Sequence, residues 1–381
     1  MLRIIKAFLE KCLTAFFGML NISNNKILFI ANDATAYTCN PKSIAEYLNE
    51  NRSYDIVWVF NKNLFEKVAL PEGMRKVKYR TLKFFYEWAT ASVIVSNHRL
   101  SLKKKKGQKY IQTWHSSMRL KKIEGDAVES LDESYIEMAK KDSRNIDLVI
   151  SGCDFSTEFF KRAFWYEGEI AKTGTPRIDF LFDKENVSKS QKKIGNELDV
   201  HSEFLLYAPT FRKNKGIEFY NIDADKITAE MQEKDGIKRK LLTKLHPNLI
   251  NMMETLRKQE SLINASHYND TQELILASEM VITDYSSLMF DCAFIHKPCI
   301  LYMPDFEEYI SKERGLYFDI NELPFPKAYT ISELVEQIRG FDIDKYKKDI
   351  DDFLLKIGSY ENGYACENVA KIIDEMMRGK L

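Results

Sequence analysis

Short apolar runs rich in β-branched and aromatic residues recur along the chain, and longer segments of mixed polarity separate them. Such runs are typical of buried strands, whereas the segments between them have the length of helices. Alternation of the two indicates parallel sheets with crossover helices. The pattern predicts strands at residues 26–31, 54–60, 92–97, 109–114, 147–152, 204–210, 240–246, 279–283 and 299–303.

The predicted strands fall into two series, so we expect an α/β protein with two doubly wound, Rossmann-like domains. At 381 residues the chain exceeds what one ordinary core holds together. Residues 183–203 have no strand pattern and read as an exposed linker with a short helix. The predicted division is a helix at 1–22, an N-terminal domain at 23–185 and a C-terminal domain at 186–381, whose last helix is free to pack back on the N-terminal domain.

The first twenty residues have the periodicity of an amphipathic helix. Their longest apolar run, Leu13 to Leu20, is too short to cross a bilayer, and no convincing signal-peptide cleavage site follows. An interfacial helix on an anionic membrane and a first helix packed on the protein's own core both remain open. The apolar face consists of Leu2, Ile5, Leu9, Leu13, Phe16 and Leu20.

Composition excludes several classes of protein. Lys plus Arg and Asp plus Glu number 56 each, so no net field draws the chain to nucleic acid, and no nucleic-acid partner is expected. The six cysteines are scattered and form no C-x-x-C motif, which favours free thiols in a reducing compartment over a zinc site or a disulfide framework.

Polar residues cluster directly after the predicted strands, where open α/β sheets bind ligands. Any one of them alone is weak evidence, but together they predict a cleft of mixed charge between the two domains. The residues at these strand ends are His115, Gly174, Thr175, Arg177, Thr210, Arg212, Lys244, His246, Asp284, Ser286 and Ser287.

Several of these residues have both a functional and a structural interpretation. His115 suits a general base for a hydroxyl, or a histidine satisfied by backbone carbonyls. His246, beside Lys244, suits a phosphate contact or a structural turn. Arg212 matches phosphate oxygens bidentately, or lies in a solvated loop. Asp291, one turn beyond Ser287, suits a ribose hydroxyl or support of the serines.

Serine and aspartate at a helix start also have two interpretations. In the segment from Asp284 to Ser287 they either cap the helix or prepare an anion site for a phosphate.

The chain has no Walker loop, no G-x-G-x-x-G and no G-x-S-x-G. Two D-x-D pairs, beginning at Asp223 and Asp342, stand in charged segments without a buried strand behind them. No metal and no cofactor is therefore expected.

The segments QTWHSS, TGTPRIDFL, LLYAPTFR, LHP, VITDYSSLMFD and RGLYFD, in this order, resemble the CDP-glycerol glycerophosphotransferases of wall teichoic acid synthesis. The resemblance runs from about residue 26 to the ENG at 361–363. It implies a glycosyltransferase B-type fold with an acceptor-side N-terminal domain and a C-terminal domain that holds CDP-glycerol or CDP-ribitol.

The resemblance also implies site residues. His115 matches the candidate base, while His246 and Asp284 match residues at the donor diphosphate and complete the predicted catalytic set. The family commonly reads W-H-G-T-P where this chain has Trp114-His115-Ser116-Ser117-Met118, so the loop after His115 has a different shape. The implied substrate-binding residues are Arg119, Gly174, Thr210, Arg212, Lys244, Ser266, Ser286, Ser287 and Asp291.

The function implied is transfer of glycerol phosphate, or a related alditol phosphate, with release of CMP. The implied acceptor is a hydroxyl of a polyprenyl-diphosphate-linked glycan or of a teichoic-acid-like or capsular polymer, and the implied location is peripheral, on the cytoplasmic face of the cell membrane. The alternatives are a nucleotide-sugar glycosyltransferase on the same fold and a non-catalytic scaffold that binds nucleotide or lipid.

Overall fold

The computed structural model describes residues 2–116, 118–246, 248–249, 258–312 and 315–379. Contacts divide the chain into two compact units. The N-terminal unit contains the described residues within 1–117, 123–179 and 359–381, and the C-terminal unit contains those within 118–122 and 180–358.

The N-terminal unit is built on seven parallel strands in the order β3-β2-β1-β4-β5-β6-β7. The neighbouring strands β1 and β4, in the middle of this sheet, are buried along their whole length, because helices cover both faces of a parallel sheet. The strand order reverses between β1 and β4. The strands are β1 (Lys26–Ile30), β2 (Asp55–Phe60), β3 (Arg75–Lys78), β4 (Val93–Ser96), β5 (Lys109–Gln112), β6 (Leu148–Ser151) and β7 (Glu169–Lys172).

The C-terminal unit is built on six parallel strands in the order β10-β9-β8-β11-β12-β13, with its reversal between β8 and β11. All nine predicted strands are present, each shorter than predicted at one end or at both. The strands of this unit are β8 (Phe204–Tyr207), β9 (Lys240–Thr243), β10 (Leu262–Asn264), β11 (Met280–Thr283), β12 (Cys299–Tyr302) and β13 (Lys327–Ala328).

The described helices include ten that lie between strands in sequence, as crossover connections require, one that precedes the first strand and three that follow the last described strand. They are α1 (Leu2–Gly18), α2 (Cys39–Asn51), α3 (Leu82–Thr90), α4 (Glu133–Ser143), α5 (Asp154–Ala163), α6 (Asp179–Phe182), α7 (Glu185–Leu198), α8 (Ala224–Asp235), α9 (Thr271–Ala277), α10 (Leu288–Phe294), α11 (Phe306–Lys312), α12 (Ile331–Arg339), α13 (Ile343–Lys356) and α14 (Ala365–Met377).

The last helix belongs to the N-terminal unit. In α14, Val369 and Ile373 are fully buried in the same core cluster as Ile44 and Leu48 of α2. The Arg52 guanidinium pairs with Asp374 of α14 at 2.9 Å. The apolar stripe of α14 thus completes the cover of one sheet face.

The segment predicted as a linker is mostly helix. Residues 185–198 form α7, which packs against α9 inside the C-terminal unit, and the Lys193 ammonium pairs with Glu273 of α9 at 2.9 Å. The division between the units falls after Asp179, several residues before the predicted boundary at 185. The buried side of α7 carries few large apolar residues, which explains why its pattern is weak.

A five-residue segment of the predicted N-terminal domain belongs to the C-terminal unit instead. The backbone N–H of Lys122 donates to the carbonyl of Gly315 at 2.9 Å, and that of Tyr317 donates to the carbonyl of Leu120 at 2.8 Å. Residues 118–122 therefore run antiparallel to residues 315–317. This pairing places Arg119 and Lys121 on the C-terminal unit.

Helix α1 packs against α3 in the N-terminal unit. The Phe17 and Tyr86 rings meet edge to face at 6.4 Å, and Arg80 pairs with Glu10 at 2.9 Å. Leu9 and Phe16 remain largely exposed, at 54% and 61%. The side chains of residues 2–8 lie outside the description. None of the described helices combines the length and the apolarity needed to cross a bilayer.

Candidate active site

The C-terminal unit has a cleft of about 770 Å³ at the carboxyl ends of its strands, a size typical of small-molecule sites. Loops after β8, β9 and β11 line it, and the strand order reverses between two of these strands. The cleft therefore lies at a topological switch point, where open α/β sheets bind ligands. Its lining residues are Arg119, Lys121, Ala208, Pro209, Thr210, Phe211, Lys244, Leu245, His246, Asn269, Thr271, Tyr285, Ser286, Ser287 and Leu288.

The charge of the cleft is positive. Arg119, Lys121 and Lys244 contribute three cations, and no carboxylate is found among the described lining residues. The Lys121 ammonium lies 4.9 Å from the centre of the Tyr309 ring, a cation–π contact that fixes its position at the rim. A polyanion such as a diphosphate suits this lining.

His246 presents one ring nitrogen for a ligand. Its ring stacks on Phe211 with 5.0 Å between centroids, and its Nδ1 accepts the backbone N–H of Asn248 at 3.3 Å. The proton of the neutral imidazole is therefore on Nε2, so that this nitrogen is a hydrogen-bond donor. Pro247, the next residue, lies outside the described residues.

Hydroxyl groups line the cleft beside the cations. Ser286 and Ser287 immediately precede α10, and the Ser286 hydroxyl accepts the backbone N–H of Leu288 at 3.3 Å. The Thr210 hydroxyl oxygen is buried and has no hydrogen-bond partner in the described part of the chain. A buried hydroxyl without a partner is costly unless a ligand satisfies it. These groups are suited to phosphate oxygens.

Lys244 is half-buried in the cleft wall. Its ammonium donates to the carbonyl of Tyr268 at 2.5 Å. Burial lowers the pKa of Lys244 below its usual value, because removal from water disfavours the charged form. A bound anion would restore the stability of the charged form.

Arg212 lies behind the wall of the cleft and is directed at two carboxylates. Its guanidinium is 2.8 Å from Asp284 and 2.8 Å from Asp305, and all three side chains are buried. The Tyr285 and Tyr309 rings stack at 3.5 Å, and both lie within cation–π distance of the guanidinium. The described contacts of Arg212 are with the protein itself, whereas the sequence pattern left a phosphate contact and a solvated loop open.

Asp284 also has a different neighbourhood from the one its sequence position predicted. It accepts the backbone N–H of Thr210 at 2.8 Å in addition to Arg212. The carboxylate thereby fixes the loop after β8 against the loop after β11. It orients Thr210 in the cleft wall.

Two other predicted binding residues also lie outside the cleft lining. The Ser266 hydroxyl accepts the N–H of Leu245 at 2.9 Å and is buried. The Asp291 carboxylate, buried on α10, accepts from the Gln272 amide at 3.0 Å. Both residues hold cleft-lining segments in place.

His115 belongs to the N-terminal unit, at the carboxyl end of β5, and is half-buried. Its carbonyl accepts from Arg177 Nε at 2.7 Å, and the Asn40 amide donates to the carbonyls of Thr113 and Trp114 at 3.0 Å each. Trp114 has a φ of +50°, an uncommon value for a bulky residue. The loop is thus braced in a strained conformation. Ser117, in the same loop, lies outside the described residues.

Gly174 is also in the N-terminal unit, where its φ is +85°. A Cβ at this position would lie 3.0 Å from that of Ala365 and 3.3 Å from a Glu361 carboxylate oxygen. Glu361 accepts the N–H of Thr175 at 2.9 Å and its hydroxyl at 2.5 Å. Gly174 therefore permits close packing of the TGTPR segment on the start of α14, within one unit.

Sequence reasoning missed several residues at or behind the cleft. Lys121, Asn269 and Thr271 line it, and Asp305 supports its wall. Asp305 follows β12 closely, so a search for polar residues directly after the predicted strands would have found it. Lys121 had no such signal, because its position depends on the pairing of residues 118–122 with 315–317.

Two parallel α/β units, each with a reversal of its strand order, define the glycosyltransferase B-type fold. Sucrose-phosphate synthase from Thermosynechococcus elongatus has the same fold, with a TM-score of 0.55 at 11% identity over 93% of this chain and 100% of that one. The chain belongs to the CDP-Glycerol:Poly(glycerophosphate) glycerophosphotransferase family, whose sequence profile matches residues 13–375.

Individual relatives agree with the family. The chain is 30% identical to a teichoic acid poly(glycerol phosphate) polymerase of Bacillus spizizenii, over 94% of each chain. It is 29% identical to a teichoic acid glycerol-phosphate transferase of Staphylococcus aureus, over 97% of this chain and 98% of that one. It spans about half the length of the poly(glycerol phosphate) polymerases of Staphylococcus epidermidis and Bacillus subtilis. The wall teichoic acid polymerase TagF superposes with a TM-score of 0.85 at 26% identity, over 100% of this chain and 97% of that one.

Proposed function

We propose that this chain transfers glycerol phosphate from CDP-glycerol to a hydroxyl of a teichoic-acid-like polymer or of a membrane-linked glycan. The single observation that carries the proposal is the cationic cleft of the C-terminal unit, which offers Arg119, Lys121, Lys244 and the His246 Nε2 proton to one anion. A TagF structure obtained after soaking with CDPG, 26% identical to this chain, supports a CDP-linked donor.

In the proposed reaction the acceptor hydroxyl attacks the β-phosphorus of CDP-glycerol. A new O–P bond forms, the bond from the β-phosphorus to the bridging oxygen breaks, and CMP leaves with that oxygen. His115 takes the hydroxyl proton. Cations and hydroxyls of the cleft stabilise the negative charge on the diphosphate, which is the main device for phosphoryl transfer.

The roles of the buried residues follow from their contacts. Arg212 and Asp284 act as positioning residues that hold Thr210 in the wall. Ser266 and Asp291 hold the loops that carry Leu245 and α10. Gly174 shapes the TGTPR segment of the N-terminal unit.

The test is CMP release by the purified chain, with CDP-glycerol and CDP-ribitol supplied in parallel with a lipid-linked disaccharide acceptor. Acceptor-dependent CMP from CDP-glycerol, with a raised donor KM in Ser286→Ala and Lys244→Gln, supports the proposal. Release of CMP from CDP-ribitol alone would mean that the transferred group is ribitol phosphate. Activity only with nucleotide sugars would overturn the phosphotransferase.

We also propose peripheral attachment of α1 to an anionic membrane. The exposed side chains of Leu9 and Phe16, seven residues apart on one face of α1, supply an apolar surface. Helix α1 packs on α3, where Phe17 contacts Tyr86. Deletion of α1 would expose this part of α3 to solvent, so point variants on the exposed face of α1 are the better test.

The double variant Leu9→Glu/Phe16→Glu should lose cosedimentation with phosphatidylglycerol vesicles. Leu355→Glu, at an apolar side chain that is 82% exposed on α13, is the matched control and should sediment like the native chain. Equal sedimentation of all three proteins would contradict attachment through α1.

A further inference from the structure

A second group of polar residues lies at the switch point of the N-terminal sheet, between the ends of β1 and β4. The loop after β1 contains Asn32, Asp33 and Ala34, whose φ angles are +46°, +54° and +63°. Three consecutive non-glycine residues in the left-handed region are unusual, and such strain concentrates at functional sites.

Asn97, directly after β4, holds this loop in place. The Asn32 backbone N–H donates to the Asn97 side-chain oxygen at 2.9 Å, and the Asn97 amide donates back to the Asn32 side-chain oxygen at 3.0 Å. Asn97 is fully buried. The surrounding fold therefore fixes the strained loop rather than leaving it to solvent.

The strained loop presents Asp33 to solvent beside His98. The Asp33 carboxylate is 84% exposed, and its Oδ1 lies 3.2 Å from His98 Nε2. On the other side of the ring, Nδ1 lies 3.1 Å from the buried Ser96 hydroxyl. The hydrogen bond from His98 lowers the pKa of Asp33, so the carboxylate is ionised at neutral pH.

This pair is connected to the loop of His115. The buried Gln112 amide donates to the His98 carbonyl at 2.9 Å, and its oxygen accepts the Trp114 N–H at 2.9 Å. Ser96 of β4 lies opposite Gln112 of β5 in the register. The loop of His98, after β4, and the loop of His115, after β5, are therefore neighbours at one edge of the sheet, since adjacent strands are about 4.8 Å apart.

We infer that Asp33, oriented by His98, binds hydroxyl groups of the acceptor, so that the acceptor end at this position is a neutral polyol or sugar and not a phosphate. An exposed, ionised carboxylate accepts hydrogen bonds from hydroxyls and repels a phosphodiester. The inference rests on the proposed function, because it takes the polymer or glycan as the acceptor. It gives the N-terminal unit a role in acceptor selection.

The test compares Asp33→Asn with the native chain. Asparagine keeps the size of the side chain and an acceptor for His98 but removes the charge. We expect the acceptor KM to rise about tenfold, the effect of one charge-assisted hydrogen bond, with donor KM and kcat little changed. Glu158→Gln, at an exposed carboxylate of the same unit that pairs with Lys161, is the matched control and should change nothing.

A binding measurement separates this inference from the proposed function. Soluble glycerol phosphate oligomers that end in a hydroxyl or in a phosphate are titrated calorimetrically into both proteins. The native chain should bind the oligomer with the hydroxyl end more tightly. In Asp33→Asn the ratio of the two dissociation constants should be closer to one. This readout does not require turnover, so a chain without CMP release still tests the site.

Three outcomes would overturn the inference. One is an unchanged acceptor KM in Asp33→Asn with an active native chain. Another is an equal preference for both oligomers in both proteins. The third is a lowered melting temperature with unchanged selectivity, which would make Asp33 a brace of the loop only.

Discussion

Arg212 and Asp284 form a buried ion pair, with 2.8 Å between Nη2 and Oδ2, behind the wall of the C-terminal unit's cleft. The same guanidinium reaches Asp305, so one cation compensates two carboxylates. These contacts raise the pKa of Arg212 further above its already high value, although burial alone would lower it. The pair ties together the loops that follow β8 and β11.

Arg212→Met should strongly destabilise the chain, because it leaves two carboxylates buried without a cation. Removal of one partner of a buried pair costs about 3–5 kcal/mol. Urea unfolding monitored by circular dichroism measures the loss. Arg339→Met, at an exposed arginine that pairs with Glu230, is the control and should leave the midpoint almost unchanged. A small effect of Arg212→Met would mean that the carboxylates take up protons without cost.

His115→Gln should lower kcat by about 10²- to 10⁴-fold, the usual contribution of a general base. The dissociation constant for CDP-glycerol should stay the same, since His115 belongs to the N-terminal unit and the cleft to the C-terminal unit. Single-turnover CMP release and calorimetric titration measure the two quantities. His201→Gln, at an exposed histidine beside Asp199, should leave both unchanged. Full activity of His115→Gln would remove it as the base.

As pH rises, the affinity for CDP-glycerol should begin to fall at a lower pH than it would with a lysine of ordinary pKa. Burial lowers the pKa of Lys244, so its charge is lost at a lower pH than usual as the solution becomes alkaline. Lys244→Arg keeps the charge and should extend tight binding of CDP-glycerol to higher pH. Titrations between pH 7 and 10 measure the shift. Identical profiles for the two proteins would show that Lys244 does not contact the donor.

Glu361 should make the N-terminal unit less stable as pH rises. Burial raises its pKa to about 7. A carboxyl whose pKa is higher in the folded state binds more protons when folded, so stability falls between the unfolded value of about 4.3 and about 7. Glu361→Gln keeps an acceptor for Thr175 and should remove this component.

Melting temperatures of the two proteins between pH 4.5 and 8 measure the component. The native chain should lose several degrees relative to Glu361→Gln across this range. Glu129→Gln, at an exposed carboxylate of the same unit, should follow the native curve. Parallel curves for the native chain and Glu361→Gln would show that the carboxyl titrates normally.

The sequence by itself determined nine of the thirteen described strands and most of the strand-end chemistry. Strands such as β1 and β11 are buried on every residue and largely apolar, because both faces of a parallel sheet are covered. The polar residues that follow, among them Lys244, Ser286 and Ser287, line the cleft because the carboxyl ends of parallel strands meet at one edge. The specific motifs determined the family.

Tertiary structure decided which polar residues face a ligand and which face the protein. Arg212 and Asp284 occupy strand ends as Ser286 does. Asp305, which is distant from Arg212 in sequence, pairs with its guanidinium and holds that side chain behind the cleft wall. Likewise Lys121 reaches the cleft only because residues 118–122 pair with residues 315–317. Local patterns specify the ends of strands, whereas the partner of a buried charge is a long-range contact that periodicity does not encode.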